Sequence, residues 1–328
     1  MGFVHSSTAP ISSFGQLEAH RGELTAHCYR MLGSPFEAED AVQDTLLRAW
    51  RSSDRFEGRA SVRSWLYRIA TNVCLDMLGG RQRRARPMDL GPAVAPIQEN
   101  LLQLADDQWV QPVPDTLLAP EGDPADVIVA RESIRLAFVA ALQHLPPRQR
   151  AALILCEVLQ WKATEAADLL EMTVAGVNSA LQRARATLAS QQLSSSGPAP
   201  TLEATDRELL DRYVHAFERY DMDELAKLIH EDATQSMPPF SLWLRGREDI
   251  LRWFVGPGIA CRGSRVIPTT NANGSPAFGQ YKPSPSGGYE PWALQVLELD
   301  SERVVEFTFY LNTRELFPLF GLPDRLEG

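Results

Sequence analysis

The stretch from Leu145 to Leu188, LPPRQRAALILCEVLQWKATEAADLLEMTVAGVNSALQRARATL, restricts the fold more than any other part of the chain. Leu145-Pro146-Pro147 opens a helix, because proline fits the first helical turn, where its missing N–H is not needed. A second helix lies within Ala163–Leu170, and Thr173 is placed to cap a third by accepting an orphan backbone N–H. In that third helix Val177, Leu181, Ala184 and Leu188 recur at helical spacing and form one apolar face. Asn178, Ser179, Gln182, Arg183 and Arg185 fall on the other side, where base edges and phosphates can be met. This is the layout of a helix-turn-helix, whose second helix enters the major groove. Three amphipathic helices of an ordinary bundle would share the spacing. The rest of the chain has to decide.

With 328 residues the chain has room for two or three domains. Its apolar and charged fractions, 44% and 23%, are those of a globular protein, and no apolar run approaches the roughly 20 residues of a membrane span. Met1-Gly2-Phe3-Val4-His5-Ser6 matches a crude myristoylation pattern but lacks the basic-then-apolar order of a signal peptide. Residues 1–13 are expected to be a disordered tip. The four cysteines, Cys28, Cys74, Cys156 and Cys261, form no CxxC, so neither a metal site nor a disulfide framework is indicated. Buried thiols in a reducing cytoplasm fit, and no cofactor is called for.

The net charge of −10 looks wrong for a nucleic-acid binder until it is divided along the chain. Residues 1–86 carry 12 Arg against 9 acids, and 131–190 carry 7 basic residues against 5 acids. Residues 87–130 have no Lys or Arg and 8 acids, and 191–328 have 13 basic residues against 20 acids. The acidity therefore sits in a linker and a last domain, while the two helical segments are mildly basic.

Phe14 to Met77 reads as helices almost throughout. Leu17, Leu24, Cys28 and Leu32 share one face, and Gly33-Ser34-Pro35 stops that helix. The next helix runs to Trp50, capped by Ser34 or an early acid, with Ala38, Ala41, Val42, Thr45, Leu46 and Ala49 inward. A loop from Ser53 to Ala60 precedes a helix from Ser61 to Asp76. The run Arg81-Gln82-Arg83-Arg84-Ala85-Arg86 follows and would meet phosphates.

The segments AEDAVQDTLLRAW and FEGRASVRSWLYRIATNVCLD, a basic run, and a later unit ending VNSALQRARATL resemble the sigma-70 family of bacterial transcription initiation factors. They most resemble its extracytoplasmic-function (ECF) group, which keeps only the second and fourth sigma domains. The match covers about 14–86 and 130–190. The resemblance implies binding to core RNA polymerase and promoter DNA. It implies that Glu39, Asp40, Gln43, Asp44, Leu47 and Trp50 lie on or near the helix that docks on the polymerase clamp. It places the Arg55–Ser61 loop, with Arg55, Arg59 and Ser61, and the helix through Arg63 and Asn72 at the minus-10 element, while Arg81, Arg83 and Arg84 are expected to bind DNA through its phosphates. Thr173, Asn178, Ser179, Gln182, Arg183 and Arg185 would read the minus-35 element as duplex. Opening a promoter means holding an unstacked base and a single strand, which calls for a small pocket beside a positive groove. Gly58 and Ala60 leave such room, and Arg55, Arg59 and Arg63 supply charge. Trp65, among Leu66 and Ile69, reads as core.

Two departures stand out. The family usually has glycine in the turn of the fourth domain, where this chain has Glu171, and a positive φ there would cost about 1 kcal/mol. Asn178 and Ala180 stand where Lys and Arg are frequent, so duplex binding should be weak without polymerase.

Residues 87–130 suit an extended linker, yet LLQLADDQWVQPVPDTLL is too apolar for a free tether. It is expected to dock, with Trp109 as anchor. Residues 191–202 form a second flexible boundary. Beyond it, helices at about 203–220, 222–230 and Arg247–Val255 combine with strands near Ala233–Met237, Arg265–Thr270, Ala277–Lys282, Trp292–Leu299 and Arg303–Tyr310. An α+β domain with an antiparallel sheet is expected over 203–328. FERYDMDELAKLIHEDATQSMPP, WLRGREDILRWF and the final β-pair resemble the SnoaL-like, ketosteroid-isomerase-like cone.

The expected architecture is therefore multidomain: a helical bundle, a helix-turn-helix domain and a C-terminal α+β cone. Three functions fit. One is a sigma factor whose fused cone regulates it by packing on the sigma domains or their linker. The second is a helix-turn-helix regulator independent of polymerase. The third is an isomerase- or cyclase-type enzyme with a helical appendage, for which His215, Asp221, His230, Asp232 and Tyr310 are the candidate bases. These form no spacing motif, so catalysis is not expected. A small-ligand pocket lined by Trp243, Trp253, Trp292 and Phe309 is the alternative use of the cone.

Overall fold

The computed structural model describes residues 13–56, 58, 60–118, 133–190, 204–300 and 302–328. The expected tip, most of the second half of the linker, and the 191–202 boundary lie outside these. Contacts divide the chain into two units. The described residues up to Arg84 and from Val110 to Ser190 make one, and Ala85–Trp109 joins the described residues from Ala204 onward in the other.

In the first unit the chain begins with α1 (Phe14–Glu18), α2 (Arg21–Leu32), α3 (Pro35–Arg51) and α4 (Val62–Met77). Ser34 caps α3, its hydroxyl accepting from the Glu37 N–H, and Pro35 takes the first helical position. The expected inward residues of α3, from Ala38 to Ala49, are buried. Gly33 ends α2 with φ 72°, in the left-handed region that glycine enters without cost. Between α2 and α4 the His27 ring lies buried against Tyr67, its Nε2 3.0 Å from the Thr71 hydroxyl. Thr71 donates its own proton to the Tyr67 carbonyl, so the His27 Nε2–H is the donor to the Thr71 hydroxyl. Burial, helped by the Arg30 charge, lowers the His27 pKa to about 3.

The unit continues with α5 (Leu136–Gln143), α6 (Pro147–Leu153), a wider π-type turn at Ile154–Val158, α7 (Ala163–Leu170) and α8 (Val174–Ser190). Thr173 caps α8 as expected, accepting from the Gly176 N–H at 3.0 Å. Val177, Leu181 and Ala184 face inward as expected, but so does Ala180, which is 1% exposed. Its side chain fills the core, so a basic residue could not reach phosphate from there. Glu171 ends α7 with φ 54°, so the turn does need the left-handed conformation.

The C-terminus of α2 gathers the rest of this unit. Its orphan carbonyls find partners elsewhere in the chain: Met31 accepts from Arg150 on α6, Arg30 from Gln143 on α5, and Gly33 from the Gln111 N–H at 3.0 Å. Tyr29 donates to the Gln111 carbonyl at 2.8 Å and Ser34 to its side-chain oxygen. The linker from Val110 to Leu118 is thus docked, with Val110 and Val113 buried.

The second unit holds α9 (Ala204–Arg219), α10 (Met222–Leu228), β1 (Ile229–Ser236), β2 (Trp243–Arg245), α11 (Arg247–Val255), β3 (Arg265–Pro268), β4 (Ala277–Pro283), β5 (Tyr289–Leu299), β6 (Val304–Tyr310) and α12 (Thr313–Leu319). The strand order is β2-β1-β6-β5-β4-β3. The sheet is mixed, which corrects the antiparallel expectation: β1 and β6 run parallel, pairing Gln235 with Phe307. Two elements escaped the sequence reading, the three-residue edge strand β2 and the short α12 with Pro318 inside it. On one sheet face Phe278, Leu297, Phe307 and Phe309 pack against Tyr213, Phe217 and Phe254 of the helices, forming an aromatic core.

The first half of the linker belongs to this unit as a strap. Its ends are joined by the parallel bridge Ala85–Trp109 and the Ala85 N–H to the Gln108 carbonyl at 2.8 Å. Val94 donates to the Trp243 carbonyl, and the Trp243 indole donates back to Gly91 at 2.9 Å. Leu102 and Leu104 exchange backbone bonds with Ser241 and Pro239, and Val94 and Leu101 pack on the core. Trp109 is buried, 2% exposed, as its expected role of anchor requires.

Two outcomes follow from these details. Glu171→Gly is expected to stabilise the helical unit by about 0.5–1 kcal/mol, read from urea unfolding, because it removes left-handed strain. The unfolded chain protonates His27 as pH falls below its ordinary 6.5, while the folded chain resists down to about 3. Stability should therefore fall with falling pH across that window, and His27→Leu should flatten the slope relative to the parent.

Candidate nucleic-acid interface

The exposed side of α3 carries the expected docking residues. Asp40 and Gln43 face solvent, and Glu39 accepts from Arg21 at 2.8 Å and from Gln43 at 3.1 Å. Asp44 pairs with Arg48 one turn on, at 2.8 Å. Surface pairs of this kind contribute little to stability, so their charge stays available to a partner. Leu47 and Trp50 are 48% and 44% exposed, and Phe14 stands edge-on to Trp50 at 5.9 Å. Phe14 was not singled out by the sequence, since only the packing of α1 on α3 brings it there. The three make an apolar ridge flanked by acids.

The residues expected at the minus-10 element are spread along α4 and beyond. Arg59 lies outside the described residues, and Arg55 ends the 3-10 turn Ser53–Arg55. Ser61 caps α4, accepting from the Ser64 N–H at 3.1 Å. Arg63 lies over the Tyr67 ring and pairs with Glu23 at 2.6 Å. Burial works against its charge, but Tyr67 and Glu23 outweigh that and hold its pKa above the ordinary value. Asn72 is exposed on the same helix. The basic run divides: Arg81 pairs with Glu37 while staying exposed, and Arg83 donates to His144 Nδ1 at 2.7 Å. Arg84 turns inward, its side chain 8% exposed and 3.0 Å from Glu37. It is a buried structural cation here, since a charge so enclosed is held by its partner rather than offered to phosphate.

On α8, Asn178, Gln182, Arg183 and Arg185 are exposed and Ser179 is half-buried, accepting from Arg183 at 2.6 Å. These project from one side of a capped helix whose other side is core, which is what insertion into a groove requires. Arg185 is already engaged, its Nε donating to Glu157 at 3.1 Å. Glu157 therefore holds the guanidinium that the sequence reading assigns to DNA.

Family models match this chain in three places: Sigma-70 region 2 over residues 17–84, Sigma-70 region 4 over 135–188, and a SnoaL-like domain over 210–307. The chain is 45% identical to the ECF RNA polymerase sigma factor SigG of Mycobacterium tuberculosis over 315 residues, 94% of this chain and 83% of that protein. The chain belongs to the ECF RNA polymerase sigma factors.

Another relative, the ECF sigma factor SigJ of Mycobacterium tuberculosis, is 28% identical over 74% of this chain and 72% of its own. The crystal structure of that organism's SigJ shares the fold, with a TM-score of 0.61 at 20% identity, covering 95% of this chain and all of that one. In this sigma factor α1–α4 form the region 2 bundle, α5–α8 the region 4 domain, and the second unit the SnoaL-like domain.

The proposed ligand-pocket residues of that domain do not converge. Trp253 and Phe309 belong to the filled aromatic core. Trp243 pairs with Ser236, so it faces away from the core side that holds Leu244 and Gln235, and its indole is taken by Gly91 of the strap. Trp292 is 40% exposed and carries the Lys282 ammonium over its ring at 3.1 Å. The candidate bases are equally scattered. His215 is exposed on α9, and Asp221 caps α10. The Glu224 N–H and Arg219 hold the Asp221 carboxyl below its ordinary pKa. His230 accepts from the Asp232 N–H, and Tyr310 is buried on β6. Among the described residues no group of three or more His, Cys, Asp or Glu is arranged to hold a metal ion, and no helix is long and apolar enough to cross a membrane.

Glu157→Ala should free Arg185. The expected result is tighter binding to minus-35 duplex by severalfold, with the salt dependence of log K steeper by about 1, measured by titration at several salt concentrations.

Proposed function

We propose that this sigma factor docks on core RNA polymerase through the acidic and apolar surface of α3, with Leu47, Trp50 and Phe14 as the anchors. The observation carrying this reading is that large apolar side chains stand exposed on a helix whose other face is fully buried. Arg63, Asn72 and the 55–61 loop then hold the opened minus-10 strand, and Thr173 to Arg185 contact the minus-35 duplex. The work is done by binding and positioning, in the cytoplasm where the polymerase is. The SnoaL-like domain regulates in cis. The strap it holds, Ala85–Trp109, is part of the connection between the two DNA-reading domains. A linker bonded to Pro239, Ser241 and Trp243 is not free to set the spacing of those domains by itself.

A pull-down with core polymerase tests the docking face. Asp44→Arg is expected to cut retention about tenfold or more, the scale of reversing a charge within a complementary interface. Retention unaffected by that change would remove α3 as the docking face. For the regulation, Trp243→Ala removes the indole bond and its packing. The strap should then be cleaved faster by protease between residues 90 and 104, and transcription should rise. Unchanged output with a released strap would leave the C-terminal domain without a regulatory role.

A further inference from the structure

Arg63 stands in the first turn of α4, and its side chain is held from two sides. An arginine is long and rich in rotamers, so an unrestrained one loses freedom whenever it grips a phosphate. Here that freedom is already restricted. The Arg63 Nε donates at 2.6 Å to Glu23 Oε2, from the first turn of α2, and its guanidinium lies 5.1 Å from the centroid of the Tyr67 ring one turn on. The Tyr67 hydroxyl donates to the same Glu23 oxygen at 3.2 Å. The other oxygen, Oε1, lies 2.5 Å from His20 Nδ1, so both ends of the carboxylate are tied.

We propose that Glu23 is a positioning residue for promoter opening, holding Arg63 in the pose in which its guanidinium receives the minus-10 strand. This rests on the functional reading above, which gives Arg63 to that strand. With Nε bonded to the carboxylate, the two terminal nitrogens form the edge that meets a phosphate, as a fork of fixed direction. The Arg63 side chain is 47% exposed and that of Glu23 28%, so the cation is the more open of the two.

The surroundings fix which group donates. Tyr67 is 1% exposed, and burial, with the Glu23 charge second, pushes its hydroxyl pKa well above the ordinary value. It therefore keeps its proton and donates, as Arg63 does, and Glu23 is the shared acceptor. The ring beneath Arg63 is itself wedged against His27, with centroids 5.1 Å apart. A carboxylate beside a phosphate-binding arginine also repels the phosphate. Glu23 aids binding only if the order it imposes outweighs that repulsion, and this opposition gives the test its sign.

The test uses holoenzyme rebuilt from core polymerase and the full chain. The probe is a labelled duplex that the parent holoenzyme selects from random sequence, mismatched over its minus-10 element so that the strand is already open. Affinity is read by titration with heparin present, and folding by circular dichroism. Glu23→Ala and Glu23→Gln remove the same charge, but glutamine keeps an oxygen that accepts from Arg63 and Tyr67. Glu23→Ala should bind about fivefold more weakly than the parent, the scale of one side chain left to be ordered on binding. Charge alone would make it bind more tightly. Glu23→Gln should bind at least as tightly as the parent. In an Arg63→Ala background, itself weaker, Glu23→Ala should bring no further loss. Glu23→Ala binding as well as the parent, Glu23→Gln as weak as Glu23→Ala, or an equal loss without Arg63 would each overturn the positioning role. Arg63→Ala binding like the parent would instead strike the assignment of Arg63 in the functional reading, and the positioning role with it. Should Glu23→Ala not fold, Tyr67→Phe keeps the ring and removes one hold on the carboxylate. It then decides by the same comparison with and without Arg63, a loss of about twofold being expected only with Arg63 present.

Discussion

The end of α2 is where this molecule meets its most basic obligation, the pairing of carbonyls that a terminating helix leaves without partners. Met31, Arg30 and Gly33 present those oxygens inside the protein, where an unpaired polar group is costly. Each is met by a different segment: Arg150 of α6, Gln143 of α5, and the Gln111 N–H of the linker. Gly33 adds the left-handed turn that lets α3 start at once with its Ser34 cap. Region 2, region 4 and the second half of the linker are thus organised by one helix terminus.

The linker serves two cores in succession. Up to Trp109 its residues complete the SnoaL-like domain, and from Val110 they complete the helical unit. The switch falls between adjacent buried residues, each 2% exposed. A linker of this kind is no passive tether, because freeing either half exposes apolar side chains and unpairs backbone groups of a folded domain. Its acidic, proline-rich composition keeps it from forming a core of its own and leaves both halves dependent on their hosts.

Much of the helical half was legible because its signals are local. The inward face of α3, the Thr173 cap and the bounds of α7 follow from spacing within a few residues. Glu171 in the left-handed conformation was legible too, as a departure from glycine. What escaped depends on contacts distant in sequence. The parallel pairing of β1 with β6 and the edge strand β2 are set by tertiary register, which periodicity does not encode. The four aromatic residues grouped as a pocket were split by strand parity, since Trp243 and Leu244 point to opposite faces. Arg84 looked like one more phosphate-seeking arginine. Its pairing with Glu37, 47 residues earlier in the chain, helps to hold it inward. The division of the linker at Trp109 was invisible, because half its partners lie beyond residue 200.

The strap also orders events in time. Synthesis runs from the N-terminus, so Ala85–Trp109 emerges from the ribosome long before Pro239, Ser241 and Trp243 exist to hold it. Until the last third of the chain is made, the helical half is present with its connecting segment unclaimed. A nascent sigma factor is therefore different in kind from a finished one, and the speed at which the final sheet closes sets how long that interval lasts.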